Sequence, residues 1–162
     1  MRALPGKAGK EEALNKILPW ILIPSVFAAD RVLKIWFIGN FDQGASVALW
    51  PGVFHLTRVE NTGAAFGLWH NAAGALAFFS AASVLAIVVY MLGWFGPRAE
   101  GSQRYAWALV AGGALGNLYD RVTLGHVIDY LDFRIWPVFN FADVCISVGV
   151  AWIVWRYAAH SS

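Results

Sequence analysis

The sequence has little charge and almost no cysteine. Asp, Glu, Lys and Arg make up 14% of its 162 residues, and 59% are hydrophobic, whereas a soluble domain averages about 25% charged residues. The single cysteine, Cys145, excludes an internal disulfide and a metal site built from several cysteines. The four histidines form no H-x-x-x-H pair, so we predict no metal site and no cofactor. A net charge of +2 without a basic stripe argues against a nucleic-acid-binding protein.

Long apolar runs are what the chain has in abundance. A membrane-spanning helix needs about 20 mostly apolar residues, and four windows are apolar in this way: 17–37, 72–95, 105–119 and 141–157. The third window is short and rich in glycine. Nine tryptophans suit the two membrane interfaces. We therefore predict an α-helical membrane protein with four transmembrane helices, organised as a single domain over residues 1–162.

The basic residues predict which way the helices run. One side of the membrane would carry seven Lys and Arg residues, against three on the other, and the positive-inside tendency places the richer side in the cytoplasm. Both termini and the loop 96–104 are then cytoplasmic, and segments 38–71 and 120–140 face outward. A cleaved signal peptide is the alternative for the first window, because "SVFAAD" offers small residues at a possible cleavage site. Apolar sequence resumes after Asp30, which favours a retained helix.

The two outer segments differ in pattern. In 38–71, β-prone residues are interrupted by Pro51 and Gly52, which predicts a turn between two strands and a small extracytoplasmic β-structure. The stretch "GHVIDYLDFRIWP" is amphipathic and is predicted to lie along the membrane interface as a loop or helix. Segment 121–139 joins the two helices that carry Asp120 and Asp143. We therefore expect it to form a mobile cover over these two residues.

Two tetrads, "NLYD" at 117–120 and "NFAD" at 140–143, stand where the third helix ends and the fourth begins. Consecutive antiparallel helices bring these ends to the same membrane face, so Asp120 and Asp143 should lie near the outer boundary. Two facing carboxylates cannot both ionise cheaply, and they share a proton. One can then act as a base and the other as an acid, which is what activating water against an amide requires.

Other interpretations of these residues stay open. Asn140 could simply cap the fourth helix, and Asp120 could pair with Arg121. Asp129 and Asp132 also lie in the outer segment and compete for the same roles. Spacing alone favours the pair Asp120 and Asp143.

The remaining polar residues in the apolar windows have simpler readings. Asp30 and Lys34 are four residues apart and could form a neutral structural pair, or they could orient groups near a site. Cys145 is interpreted as a small core residue, and Ser147 has no obvious base, so neither is favoured as a nucleophile.

Four blocks of this sequence resemble one family. They are "ENTGAAFG" (60–67), "GGALGNLYDRV" (112–122), "HVIDYLDF" (126–133) and "FNFADVCISVG" (139–149). In this order, on a chain with four apolar windows, they resemble the bacterial lipoprotein signal peptidases, also called type II signal peptidases. The resemblance covers residues 17–158 and implies a membrane aspartyl endopeptidase that cuts before the lipid-modified cysteine of prolipoproteins.

The resemblance also implies a set of site residues. We take the aspartates of the G-N-x-x-D-R and F-N-x-A-D blocks, Asp120 and Asp143, as the expected catalytic pair. Position 31 departs from the family block D-Q-x-x-K, because Arg31 stands where glutamine is usual. The expected substrate-binding or supporting residues are Asn61, Gly63, Asn117, Arg121, Asn140, Asp30 and Lys34.

The expected partners are lipid-modified prolipoproteins and membrane lipids, with no nucleic acid, and the protein is expected to be a monomer. Its expected location is the bacterial cytoplasmic (inner) membrane, with the active site near the outer face. A proton-coupled transporter could also use intramembrane acids, although no inverted repeat is visible. A non-catalytic assembly factor is the third alternative.

Overall fold

The computed structural model of the protein describes residues 7–63, 72–94 and 101–160. Within these ranges the chain forms four helices and a small antiparallel sheet. The helices are α1 (Lys7–Asn40), α2 (Ala72–Leu92), α3 (Gln103–Thr123) and α4 (Phe141–His160), and the strands are β1 (Ser46–Trp50), β2 (Phe54–Asn61) and β3 (Val127–Asp132). Phe95, residues 96–100 and residues 64–67 of the "ENTGAAFG" block lie outside the described residues.

Helix α3 is the centre of the bundle and packs against each of the other three helices. Its glycines allow this close approach. A Cβ on Gly113 would lie 2.5 Å from the carbonyl oxygen of Ala142 in α4, and one on Gly112 would lie 2.7 Å from Cβ of Val26 in α1. Small residues at such positions let helix backbones come together, as is common in membrane bundles.

The four helices occupy the predicted windows, but three of them, α1, α3 and α4, are longer than expected. Helix α1 begins at Lys7 and ends at Asn40, and α3 continues past Asp120 to Thr123. Two helices of the described chain are long and apolar enough to cross a membrane, at Gly74–Leu92 and Phe141–Ala159. Helices α1 and α3 carry charged residues that α2 lacks, so the prediction that all four helices span remains a prediction.

The outer faces of the helices are apolar. Phe78 in α2 is 69% exposed and Trp155 in α4 is 65% exposed. Small residues such as Ala106, Ala108 and Ala111 fill the interior instead. Helices that are apolar on their outer surface suit lipid better than water, which supports a membrane protein.

The predicted outer β-structure is present and is larger than expected. Strands β1 and β2 form a hairpin that turns at Pro51 and Gly52, and β3 pairs antiparallel with β2 to give the order β1-β2-β3. The interpretation of the stretch around β3 as an interfacial loop or helix is therefore wrong for Val127–Asp132, which form a strand, while the mobile cover over 121–139 stays a prediction. This strand is buried, and Tyr130 stacks on Phe37 of α1 with ring centroids 4.1 Å apart.

The physical reason is that the end of α1 covers β3. Phe37 of α1, with Ile128 and Tyr130 of β3, forms a second buried apolar cluster above the helix bundle. The backbone N–H of Phe141 at the start of α4 donates to the Tyr130 hydroxyl at 3.1 Å. The sheet is thus anchored to the ends of two helices, and β3 brings Asp129 next to Asn140 at the start of α4.

Candidate active site

The site begins at the first turn of α4. The Asn140 side-chain oxygen accepts from the backbone N–H of Asp143 at 3.0 Å, and the Asp143 carboxylate accepts from the backbone N–H of Asn140 at 3.2 Å. This reciprocal pattern is a capping box, and the helix N-terminus favours a carboxylate at this position. The suggestion that Asn140 caps the fourth helix is confirmed, and the cap also fixes the position of Asp143.

Asn140 has a second function in the site. Its Nδ2 group donates to Asp129 Oδ1 at 2.6 Å and to Asn117 Oδ1 at 3.1 Å. Asn140 is fully buried, so its amide protons have no water to bond instead. One asparagine therefore holds the carboxylate of Asp143 through its backbone and the carboxylate of Asp129 through its side chain.

Asp129 enters the site from strand β3, beside the end of β2. Asn61 Nδ2 donates to Asp129 Oδ2 at 2.9 Å, and the Asn61 oxygen accepts from the backbone N–H of Gly63 at 2.9 Å. Gly63 has a φ of 72°, a conformation that favours glycine. The turn at Gly63 thus orients Asn61 toward Asp129.

Burial, with a smaller contribution from the negative charge of Asp143, raises the pKa of Asp129 to about 6, against hydrogen bonds from Asn61 and Asn140 that lower it. Asp129 is 2% exposed, so its charged form has lost most of its hydration. A carboxyl with such a pKa holds a proton under conditions in which an ordinary aspartate does not, which is the property of a general acid.

Asn117 of α3 connects Asp143 to helix α1. Its Nδ2 donates to Asp143 Oδ1 at 2.7 Å, while its oxygen accepts from Lys34 Nζ at 2.9 Å. The ammonium can only donate, so this contact fixes which end of the amide faces Asp143. The buried bond from Lys34 therefore orients the donor that holds Asp143.

A cluster of charges lies below Asn117. Lys34 Nζ is 3.0 Å from Asp30 Oδ2 and 2.7 Å from Asp120 Oδ2, and Arg31 Nη2 is 2.6 Å from Asp120 Oδ1. Asp120 Oδ2 also accepts from the backbone N–H of Ile128 at 3.2 Å. Asp30, Lys34 and Asp120 are all fully buried. Both oxygens of Asp120 are thus next to cations.

Arg121, the last of the expected supporting residues, lies at the edge of this network. Its Nη1 is 3.3 Å from the carbonyl oxygen of Asn117 and 3.4 Å from Ser80 Oγ. It lies within electrostatic reach of Asp143, Asp129 and Asp120. The expected pair with Asp120 is not among these contacts.

The structure brings the expected residues together but arranges the carboxylates differently from the sequence prediction. Asp143 shares Asn140 with Asp129, and Asp120 belongs to the charge cluster with Arg31 and Lys34. A β-strand signal in "HVIDYLDF", with its β-branched and aromatic residues, could have directed attention to Asp129.

Asp132, the other competitor, is bound elsewhere. It accepts from Thr57 Oγ1 at 2.8 Å and from the backbone and side chain of Arg134. Burial opposes its ionisation, but these hydrogen bonds together lower the pKa of Asp132. Its contacts are therefore those of a structural carboxylate in the sheet.

An apolar groove of about 560 Å³ opens beside Asp143. It lies between α4 and the segment that follows β3, and among the described residues that line it Asp143 is the one that is charged. The apolar and hydroxyl residues that line it are Phe133, Ile135, Trp136, Phe139, Val144, Ser147 and Val148.

Comparison with known proteins places the chain in a family. The sequence model of the signal peptidase (SPase) II family matches residues 22–159. The chain is 50% identical over 135 residues to the lipoprotein signal peptidase of Desulfitobacterium hafniense (strain DSM 10664 / DCB-2), covering 83% of this chain and 88% of that protein. It is 42% identical over 137 residues to the lipoprotein signal peptidase of Gloeobacter violaceus, covering 82% and 78%.

The fold is shared with a solved protein as well. A bacterial membrane enzyme determined by the in meso method at 2.3 Å resolution is 26% identical, with a TM-score of 0.79 and 90% of each chain covered. The four helices, the small sheet and the buried acids thus define a membrane enzyme. The chain belongs to the signal peptidase II family, the lipoprotein signal peptidases. Membership in a peptidase family speaks against the transporter and the assembly factor.

Proposed function

We propose that this chain is an intramembrane aspartyl endopeptidase that removes signal peptides from lipid-modified prolipoproteins and cuts before the diacylglyceryl-cysteine. Family membership supports the substrate class. The single observation that carries the mechanism is Asn140, which binds Asp143 through its backbone N–H and Asp129 through its side chain. We place the protein in the bacterial inner membrane as a monomer with four transmembrane helices and both termini in the cytoplasm.

We assign the catalytic pair to Asp129 and Asp143, in place of the sequence prediction of Asp120 and Asp143. Asp120 lies between Arg31 and Lys34 at 2.6 and 2.7 Å, so both of its oxygens are next to cations. Both oxygens of Asp120 are therefore committed to ion pairs with helix α1, which is the role of a structural carboxylate. Among the residues that the structure describes, Asp129 forms no ion pair of this kind, and amides hold its two oxygens.

The pair supports a water-mediated cleavage. Asp143, ionised, takes a proton from a water whose oxygen attacks the scissile carbonyl carbon, while Asp129 donates its proton to the carbonyl oxygen. When the tetrahedral intermediate breaks down, the C–N bond breaks and the leaving nitrogen takes the proton from Asp143. A hydroxyl proton of the intermediate returns to Asp129 as the new acid forms. The cycle ends with the proton back on Asp129.

The groove beside Asp143 supports access from the bilayer. Its wall includes Phe139, Val144 and Val148, which suit an apolar substrate segment or a lipid chain rather than a soluble peptide. Asp143 is the one charged residue in the part of the lining that the structure describes, so this groove would bring a bound segment next to the proposed catalytic carboxylate. This geometry supports a lipid-modified, membrane-anchored substrate.

The test is cleavage of a synthetic diacylglyceryl prolipopeptide by the purified protein in detergent. We expect Asp129→Asn and Asp143→Asn each to abolish cleavage, and Asp132→Asn, the matched change three residues along the same strand, to retain most of it. Near-normal turnover by Asp129→Asn would return the assignment to Asp120. Absence of cleavage by the unaltered protein on any lipidated precursor would overturn the proposed activity.

A further inference from the structure

Arg31 stands where the family block usually has glutamine, and its side chain is closely held. The Nη2 group lies 2.6 Å from Asp120 Oδ1 and 3.4 Å from Asp30 Oδ2. The guanidinium carbon lies 4.8 Å from the centroid of the Tyr119 ring, within range of a cation–π contact. The side chain is 13% exposed, so it is packed between an aromatic face and two carboxylates.

The contacts of Arg31 matter because of the charge beneath it. Asp30, Lys34 and Asp120 are fully buried, and with all three ionised their charges sum to −1. A buried uncompensated charge is costly, and a carboxyl in that situation takes up a proton instead. The guanidinium of Arg31 remains protonated, and it brings the sum of the cluster to zero.

The state of this cluster reaches the catalytic carboxylate through two hydrogen bonds. An ammonium has three protons, and Lys34 Nζ has three acceptors, at 3.0 Å in Asp30, 2.7 Å in Asp120 and 2.9 Å in Asn117. Asn117 in turn donates to Asp143 at 2.7 Å. A protonated Asp30 or Asp120 would present a hydroxyl donor in place of an acceptor, and Lys34 would lose a partner.

We propose that Arg31 is a positioning residue, which keeps Asp30 and Asp120 ionised together so that Lys34 holds Asn117 against Asp143. Arg31 acts through Asp120 and Lys34 and does not touch the substrate. The proposal rests on the catalytic role of Asp143 proposed above. It also predicts that a neutral residue at position 31 makes the site sensitive to protonation of the buried carboxylates.

The experiment compares Arg31→Gln with Arg31→Lys, using Lys16→Gln as the matched control. Lys16 is an exposed cation on the same helix. At about pH 6 we expect Arg31→Gln to lower kcat by about tenfold to a hundredfold, the loss that a displaced catalytic group can cause, with KM unchanged. The deficit should shrink toward about pH 8, because the buried carboxyl then ionises and Lys34 regains its acceptor. Arg31→Lys should restore most of kcat, and Lys16→Gln should behave as the unaltered protein.

The groups that share this electrostatic environment are common to all variants, so the ratio of variant to unaltered rates isolates position 31. Helix α2 contributes no charged residue to the surroundings of Arg31. The facing groups are Asp30 and Lys34 on α1, Asp120 and Arg121 on α3, Asp129 on β3 and Asp143 on α4.

Thermal unfolding gives a reading that does not depend on peptidase activity. The apparent Tm of Arg31→Gln, relative to the unaltered protein, should fall as the pH rises from about 6 to about 8, since the uncompensated carboxylate must then ionise. Failure of the unaltered protein to cleave refutes the proposed function, while the Tm series still tests the charge balance.

The possible outcomes separate charge from packing. Should Arg31→Gln fail to fold while Arg31→Lys folds and cleaves, the charge is the requirement and the proposal holds. Failure of both variants, a loss that is independent of pH, or a normal kcat and Tm for Arg31→Gln at every pH would each overturn it.

Discussion

The side-chain amide of Asn140 lies 2.6 Å from the carboxylate of Asp129, across the gap between helix α4 and strand β3. The same residue precedes α4 as its N-cap and forms the capping box with Asp143. A helix cap and an active-site support are therefore one residue. The relative position of the two carboxylates depends on where α4 begins, and that start is also fixed by the bond from Phe141 to the Tyr130 hydroxyl.

Substitution of Asn140 should separate capping from catalysis. Serine is as good an N-cap as asparagine, whereas alanine costs about 1 kcal/mol in helix stability. Asn140→Ser should therefore keep the Tm close to that of the unaltered protein, and Asn140→Ala should lower it. Both should lose cleavage strongly, because alanine has no donor and the single hydroxyl proton of serine cannot serve both Asp129 and Asn117. The measurements are Tm and kcat on the purified variants, and a fully active Asn140→Ser would show that the amide does not support catalysis.

The pH dependence of cleavage follows from the pKa of Asp129. Asp129 must be protonated to act as the acid, and its pKa is raised to about 6, so kcat/KM should fall as the pH rises through about 6. The apparent value belongs to the coupled pair rather than to one group. Asn61 donates a hydrogen bond that lowers this pKa. Asn61→Ala should therefore move the alkaline limb of the profile to higher pH.

A control for the pH profile is available within the same sheet. Thr57 donates to Asp132, which is outside the proposed pair, so Thr57→Val should leave the alkaline limb where it is. If the alkaline limb stays in place with Asn61→Ala, or moves equally with Thr57→Val, Asp129 is not the general acid.

Much of this architecture could be predicted from the sequence, and the exceptions have physical causes. The helices follow from apolar windows, and the hairpin follows from Pro51 and Gly52 between β-prone residues. Strand β3 was missed because its partner β2 lies more than sixty residues earlier in the chain, and no local pattern encodes such a pairing. A short alternating stretch fits a strand as well as an interfacial segment.

The choice between the carboxylates, which our proposal changes, could not be settled from the sequence for a related reason. Spacing indicated that Asp120 and Asp143 reach the same membrane face, but spacing does not show which acid a cation holds. Arg31 and Lys34 are about ninety residues before Asp120, and their ion pairs with it depend on how α1 packs against α3. Asp129 could be recognised as the better partner only after β3 was placed beside Asn140.

Replacement of aspartate by asparagine should affect the Tm differently at positions 120 and 129. Asp120→Asn removes the carboxylate between Arg31 and Lys34 and leaves two cations with one acid. Breaking a buried ion pair in this way costs about 3–5 kcal/mol, so the Tm should fall markedly.

Asp129→Asn should not lower the Tm at neutral pH. Its pKa rises from 3.8 to about 6 on folding, so the folded protein binds more protons than the unfolded chain in this window, and stability falls as the pH rises across it. Above about pH 6 the substitution removes that penalty. The measurement is Tm as a function of pH for both variants, and a larger loss for Asp129→Asn would reverse the two roles.

Close packing of α3 against α4 should be required for catalysis, and a pair of identical substitutions can test this. A Cβ on Gly113 would lie 2.5 Å from the Ala142 carbonyl oxygen and 2.9 Å from Ile146 Cγ1, so Gly113→Ala should push the helices apart. Asn117, one turn along α3, would then move away from Asp143, and kcat should fall about a hundredfold if the displacement approaches about 1 Å.

Gly74→Ala in α2 is the control, because a Cβ there meets nothing within 4 Å. Alanine is the better helix former by about 1 kcal/mol, so this variant should keep its activity and its Tm. Equal effects of the two substitutions would mean that glycine itself matters, rather than the contact between α3 and α4.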